Sequence, residues 1–248
     1  NKVVKKINNL KKEISIGIVG KYTDLKDSYK SLNEALVHGG LSNNVKINIK
    51  LINSEKLNKN EILQQLHKLN GILVPGGFGN RGVAGKLTSI KFAREKNIPF
   101  FGICFGMQLA VVEISKNVLK IKDANSTEFS NTKNPVVGLM TEWTKDNKKE
   151  IRNKESNKGG TMRLGSYPCK ITKGSLINKI YGSLKINERH RHRYEVNKNY
   201  IKKFREQGYV YSGMSPDNKL PEILESTKHP WFIGVQFHPE LKSRPQNP

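Results

Sequence analysis

Gly102-Ile103-Cys104-Phe105-Gly106 follows the apolar run Ile98-Pro99-Phe100-Phe101 and opens an amphipathic run from Met107 to Val118. This spacing predicts a strand that turns sharply into a helix, with the cysteine at the turn. Such a nucleophile elbow needs small residues on both sides, because its strained backbone passes close to its neighbours, and sulfur can stand where serine oxygen more often does. A helix N-terminus sets partial positive charge beside the thiol and favours its thiolate. The N–H of Phe105 points where an oxyanion would form. As a bare pattern the stretch is weak, since a buried cysteine is more often an inert small hydrophobe.

The far end of the chain strengthens it. Trp231 to Phe237 reads as a buried strand that delivers His238-Pro239-Glu240 at its C-terminal edge, the edge at which open α/β sheets gather reactive groups. A thiol needs a base, and the base needs a carboxylate to fix its tautomer and stabilise its cation. The order Cys104, His238, Glu240 is therefore a candidate triad. Without the elbow, His238 would read as a strand cap and Glu240 as a solvated charge.

Gly71 to Val74 reads as a short strand running into Pro75-Gly76-Gly77-Phe78-Gly79, whose glycines let backbone N–H groups turn toward a ligand. Gly77 is the candidate second oxyanion donor. A phosphate loop is the rival reading of the basic, glycine-rich run from Gly79 to Lys86. Its glycine spacing is wrong, and Leu87 stands where Ser or Thr should follow the lysine.

Three stretches, Pro75-Gly-Gly-Phe-Gly79, Gly102-Ile-Cys-Phe-Gly-Met-Gln108 and Gln236-Phe-His-Pro-Glu240, resemble the class I, triad-type glutamine amidotransferases. Asn125-Ser-Thr-Glu-Phe129, Gly159-Gly-Thr-Met-Arg-Leu-Gly165 and Glu188-Arg-His-Arg-His-Arg-Tyr-Glu-Val-Asn197 narrow the resemblance to the glutaminase half of the CTP synthase family. It runs from about Ile14 to Pro245. One residue departs from the pattern: Phe105 stands where leucine is common, which changes packing and keeps the N–H.

The resemblance implies Cys104 as nucleophile, His238 as base and then acid, and Glu240 as its orienter. It also implies that glutamine is held by Gly77, by Phe105, Gly106, Met107 and Gln108, by Glu128 and by Arg193. The residue types suit that ligand, because a carboxylate and a forked guanidinium match an α-ammonium and an α-carboxylate. For the full enzyme it implies a synthase (amidoligase) domain on the same polypeptide, ATP with Mg for aminating UTP, GTP as allosteric activator and a homotetramer. A GTP contact is expected from the 188–197 region or from Arg163. No phosphate loop for the synthase half is present, so the chain reads as a fragment that stops where the family usually continues through a last helix. On its own it is expected to be a weak glutaminase.

The fold class expected is α/β: an open, mostly parallel central sheet with helices on both faces and an antiparallel extension in the C-terminal half. Ile14 to Val19, Val45 to Ile52, Ile72 to Val74 and Pro99 to Ile103 read as strands. Tyr29 to Val37, Ile62 to Leu69 and Val83 to Glu95 read as the helices between them. Tyr209 to Met214, Leu220 to Glu225 and Phe232 to Phe237 form the extension, with a helix from Tyr200 to Gln207. Residues 14–248 read as one domain, 1–13 as a linker, and the lysine-rich 144–158 stretch as a loop insertion with no readable chemistry.

With 44 Lys and Arg against 21 Asp and Glu, the net charge is +23. Such a charge points to nucleic acid in many proteins. Here lysine is scattered among asparagines without interleaved aromatics, so no stacking platform is expected. Two cysteines, Cys104 and Cys169, argue against a disulfide framework and for a reducing compartment. The six histidines show no zinc-ligand spacing, and no metal is expected in this domain. No apolar run suits a membrane span and no signal peptide is recognisable, so the cytoplasm is the expected location. Two other readings stand beside the glutaminase: a γ-glutamyl hydrolase or cysteine peptidase on the same scaffold, and an inactive fold that binds nucleic acid.

Overall fold

A computed structural model of the chain describes residues 10–24, 27–139 and 162–248, with the backbone of 142–145 and 148–151. Most of the expected linker, most of the 144–158 insertion, and Gly159 to Thr161 of the glycine-rich motif lie outside the described residues.

The N-terminal half alternates strand and helix. It runs β1 (Lys12–Gly20), α1 (Lys30–Ser42), β2 (Val45–Asn53), α2 (Lys59–Leu66), β3 (Gly71–Val74), α3 (Val83–Lys96), β4 (Phe100–Ile103) and α4 (Phe105–Asn117). Asn58 starts α2 with a capping box: its side chain accepts from the Asn60 and Glu61 amides, while Glu61 reaches back to the Asn58 N–H at 2.7 Å. Such a cap stabilises a helix end by about 1 kcal/mol. The chain then makes β5 (Ala124–Ser126), β6 (Asn134–Leu139), β7 (Glu142–Lys145) and β8 (Lys148–Ile151). After β9 (Arg163–Ile171), α5 (Leu176–Tyr181), β10 (Lys185–His192), β11 (Tyr194–Val196) and α6 (Ile201–Glu206) come β12 (Tyr209–Met214), β13 (Pro221–Ser226) and β14 (Phe232–Val235).

Among the described residues, the main sheet has nine strands in the order β10-β9-β12-β13-β14-β4-β3-β1-β2. From β14 to β2 every neighbouring pair is parallel, and from β14 to β10 every pair is antiparallel. The expected antiparallel extension is therefore as large as the parallel part, because the hairpin of β9 and β10, unread in the sequence, adds its far edge. Side chains alternate across the sheet. Val19, Ile72, Val74, Phe100 and Phe232 join the core under α2, α3 and α4, while Ile18, Leu73, Ile103, Ile233 and Val235 join the core on the opposite face. A second sheet, β11-β6-β5, lies beside the first.

Helix α4 differs from the amphipathic helix expected. Phe105 to Ser115 are all buried, because main sheet, neighbouring helices and second sheet enclose it, and a helix enclosed on all sides has no solvent stripe. Its first turn is pressed onto the sheet by glycines. Gly102 of β4 pairs in register with Gly234 of β14. A Cβ on Gly102 would stand 2.7 Å from the Gly106 carbonyl carbon, and one on Gly234 would stand 2.9 Å from Met107 Cγ.

Candidate active site

Cys104 lies between β4 and α4 with φ 52° and ψ −100°, a conformation non-glycine residues rarely adopt and which the surrounding structure must hold. Its N–H donates to the Val235 carbonyl at 2.6 Å, so the strand that carries His238 also fixes the nucleophile's backbone. The side chain is buried, with Sγ 3.9 Å from the Arg191 carbonyl oxygen and 3.8 Å from Gln236 Nε2. Because β14 runs parallel to β4, with Val235 opposite Ile103, the segment 236–238 leaves the sheet at the same edge as Cys104.

His238 is held at both ends. Its backbone N–H donates to the Arg189 carbonyl at 2.7 Å, and its ring Nδ1 is 2.7 Å from Glu240 Oε1. Pro239 opens a short 3-10 turn, Pro239–Leu241, which brings two side chains one residue apart onto the same side. With Nδ1 bound, buried Nε2 has no hydrogen-bond partner among the described residues and is the nitrogen left for sulfur. Burial works against charge on this ring, but the Cys104 side chain and the Glu240 carboxylate prevail and lift its pKa to about 10. Both side chains thus favour the charged form of the ring.

The glycine loop after β3 closes the other side. A Cβ on Gly76 would stand 2.7 Å from His238 Cε1, and one on Gly77 would stand 3.6 Å from the Phe105 ring. The loop backbone therefore faces both imidazole and elbow. Glu128, on the loop after β5, accepts the Gly79 N–H at 2.6 Å. Burial raises its pKa, opposed by that N–H and by the charges of Lys21, Arg193 and Lys86. Arg193, between β10 and β11, has a buried Nε without a hydrogen-bond partner among the described residues.

The residues proposed as glutamine contacts separate into two kinds. Gly77, Glu128 and Arg193 gather around the loop. The side chains of Phe105, Met107 and Gln108 turn inward: Phe105 packs edge-on to Phe129 with centroids 5.6 Å apart, Met107 lies beneath Gly234, and Gln108 Nε2 donates to the Tyr194 carbonyl at 2.8 Å and to Gln236 Oε1 at 3.2 Å. Gly106 has no side chain to offer. This stretch can present only backbone N–H groups to a ligand.

The expected GTP contact by Arg163 does not fit this structure. Its side chain is 3 % exposed and bound within the protein, to Glu222 at 2.7 Å and Glu195 at 3.7 Å. An alternating strand explains this: the even-numbered residues of β10, including His190 and His192, face inward toward Arg163, while Arg189 and Arg191 face outward. His190 Nδ1 lies 2.8 Å from His192 Nε2, and burial together with Arg163 holds both rings well below the usual histidine pKa. Among the described residues no group of three or more His, Cys, Asp or Glu is placed to hold a metal ion. Both cysteines are free.

Two residues at the site went unread as site residues. Gln236 sits inside a motif that was recognised, but alternation along β14 was needed to turn it toward Cys104. Lys86 was read only as a helix residue and as part of a rejected phosphate loop, yet it is 1 % exposed with its ammonium 4.9 Å from the Phe105 ring centroid.

An elbow cysteine, a histidine–carboxylate pair delivered by the adjoining parallel strand and a glycine loop across from them are the parts of a triad amidotransferase. The Glutamine amidotransferase class-I family matches residues 24–248, and the chain belongs to that family. Within it, the similarity is to CTP synthase. The chain is 55 % identical to the CTP synthase of Hyphomonas neptunium over all 248 residues, which are 46 % of that protein, and 57 % identical to that of Bartonella quintana over 98 % of the chain and 45 % of that protein. It thus spans about half the length of these relatives. The solved glutaminase domain of Trypanosoma brucei CTPS, with bound acivicin, superposes with a TM-score of 0.84 at 39 % identity, covering 95 % of this chain and 89 % of that one. A glutamine amidotransferase from Thermotoga maritima, at 12 % identity and a TM-score of 0.51 over 92 % of this chain and 76 % of its own, shares the fold. Among the described residues no helix is long and apolar enough to cross a membrane.

Proposed function

We propose that the chain is the glutaminase part of a CTP synthase, hydrolysing L-glutamine to glutamate and ammonia. The observation that carries this reading is the convergence of Cys104, His238 and the Gly76–Gly77 backbone at one sheet edge. His238 takes the proton of the Cys104 thiol as its sulfur attacks the side-chain amide carbon, and the N–H groups of Phe105 and Gly77 receive the oxyanion. The C–N bond breaks as His238 gives its proton to the departing nitrogen, and ammonia leaves. Water then attacks the γ-glutamyl thioester, His238 takes the water's proton, and glutamate departs as the C–S bond breaks. The imidazolium that forms when His238 takes the thiol proton is favoured by Glu240, so the ring serves as base and then as acid.

Glu128 and Arg193 hold the α-ammonium and α-carboxylate of glutamine, which sets free glutamine apart from a simple amide. The stretch from Phe105 to Gln108 contributes backbone only. Ammonia passes to a synthase domain on the same full-length polypeptide, which aminates UTP with ATP and Mg. GTP acts at the junction, and the full enzyme is a cytoplasmic homotetramer. No residue of this domain is assigned to ATP, Mg or GTP. Residues 14–248 form the glutaminase domain, and 1–13 lead into it.

The test is to incubate the purified chain with L-glutamine and measure glutamate, alongside Cys104→Ala. Glutamate formation abolished by the substitution is expected, together with covalent labelling of Cys104 by acivicin. Glutamate release that survives Cys104→Ala would overturn the assignment, and a preference for γ-glutamyl peptides over free glutamine would favour a hydrolase instead.

A further inference from the structure

The amidase cycle leaves one buried cation unused. Lys86 is in the first turns of α3 and is 1 % exposed, where lysine is almost never found without a partner. Among the described residues its side-chain nitrogen forms no ion pair or hydrogen bond. The two carboxylates whose charge acts on it are engaged elsewhere, Glu128 with the Gly79 N–H and Glu55 in a two-pronged pair with Arg81 at 2.7 Å. Its neighbours are the Phe105 ring, 4.9 Å from its nitrogen, and the Gly77 position, whose Cβ would stand 3.8 Å from that nitrogen. Phe105 and Gly77 are the two residues whose N–H groups were assigned to the oxyanion. An unpaired ammonium enclosed in protein gives the fold little, while directly behind an oxyanion pocket it adds fixed positive charge in a low-dielectric setting.

We propose that Lys86 is a positioning residue of the amidase site: its ammonium, lodged behind the Phe105 ring and the Gly77 peptide, pre-charges the oxyanion pocket for the negative oxygen that forms there. The inference rests on the glutaminase reading and deepens it. Burial, and then the charge of Lys21 on the segment after β1, lower the pKa of Lys86 to about 8, against the pull of Glu128 and Glu55. These come from the segments following β1, β5 and β2, and His238 across the glycine loop titrates higher, near 10. The charge contributed by Lys86 is therefore mostly present at pH 7 and mostly lost by pH 9.

The experiment compares glutamine hydrolysis by the chain with that of Lys86→Met and Lys86→Arg from pH 6.5 to 9.5, with melting temperatures taken in parallel. Methionine fills the same space without charge. Lys86→Met should lower kcat by about tenfold at pH 7, leave KM within about twofold, and lose the alkaline fall in kcat near pH 8. Lys86→Arg, charged throughout that range, should hold its kcat at pH 9 better than the wild type does. A Lys86→Met protein with wild-type kcat, or one with lower kcat but an unmoved pH profile, would overturn the inference and leave the glutaminase assignment standing. Failure of the wild-type chain to form any glutamate would instead bring down that assignment, and this inference with it.

Discussion

Gly106 and Val74 approach so closely that no side chain fits between them: a Cβ on Gly106 would lie 2.0 Å from the Val74 carbonyl oxygen. The obstacle is backbone, so no rotamer change relieves it. Gly106→Ala must push α4 off the sheet or displace β3, and both elements carry the site. The expected cost is about 3 kcal/mol or more, measured by denaturant unfolding, with a matching fall in the rate of Cys104 alkylation. Gly39, in α1 with nothing within 4 Å of its Cβ position, supplies the control. Gly39→Ala should stabilise by about 0.5 to 1 kcal/mol, and equal effects at both positions would refute the packing argument.

Glu240→Gln keeps the shape beside His238 and removes its anion. Because the folded pKa of His238 is raised to about 10 from 6.5, its imidazolium contributes stability that is full below pH 6.5 and lost as pH rises through 10. Without the carboxylate that pKa should fall toward the ordinary histidine value, and the window should narrow from its alkaline side. Activity should drop by about a hundredfold or more, as expected when the orienting carboxylate of a triad is neutralised. Following the His238 ring by NMR across pH 5 to 11 checks the shift directly; an unchanged midpoint would assign the raised pKa to Cys104 alone.

The alternation of strand and helix up to Asn117 was legible because each strand carries β-branched or aromatic residues with Gly, Pro or Asn close by, and because Gly102 and Gly106 punctuate the elbow. The meeting of Cys104, His238 and Glu240 at one sheet edge was legible because His238 and Glu240 are close in sequence and Cys104 sits at a turn. What escaped had long-range causes. Arg163 looked free to meet a nucleotide because nothing local shows that β9 and β10 pair and turn their alternate residues inward onto Glu222 and Glu195. The burial of Lys86 was not legible because its helix has no clear apolar stripe. Its burial follows from where the Gly77 loop and Phe105 arrive.

Glu195 offers a test of that buried cluster. Desolvation lifts its pKa to about 8, against the pull of Arg163 and with a further push from Glu222. A carboxyl raised from 4.5 binds its proton more tightly in the folded state, so its contribution is full below pH 4.5 and lost as pH climbs through 8. Glu195→Gln, which mimics the protonated form, should match the wild type near pH 5 and exceed it in melting temperature at pH 8.5. Arg163→Met should behave oppositely. It strands Glu222 as a buried carboxylate without its cation, a change that typically costs about 3 to 5 kcal/mol at neutral pH.

Lys86→Met should also separate stability from activity. The folded pKa of Lys86 is lowered to about 8 from 10.5, so the folded state resists the charged form. Its penalty is fully present below pH 8 and disappears as pH rises from 8 to 10.5, where the unfolded chain also loses the proton. The shift corresponds to about 3 kcal/mol at most. The methionine variant should therefore be more stable than the wild type at pH 7, with the pH-dependent part of its advantage gone above pH 10.5, while its glutaminase activity at pH 7 is lower. Urea unfolding at pH 7, 9 and 11 reads the first half and glutamate production the second. A variant that is more stable and equally active would mean that the cation serves neither fold nor reaction, whereas the opposed changes would show a charge retained at the expense of stability because the oxyanion pocket uses it.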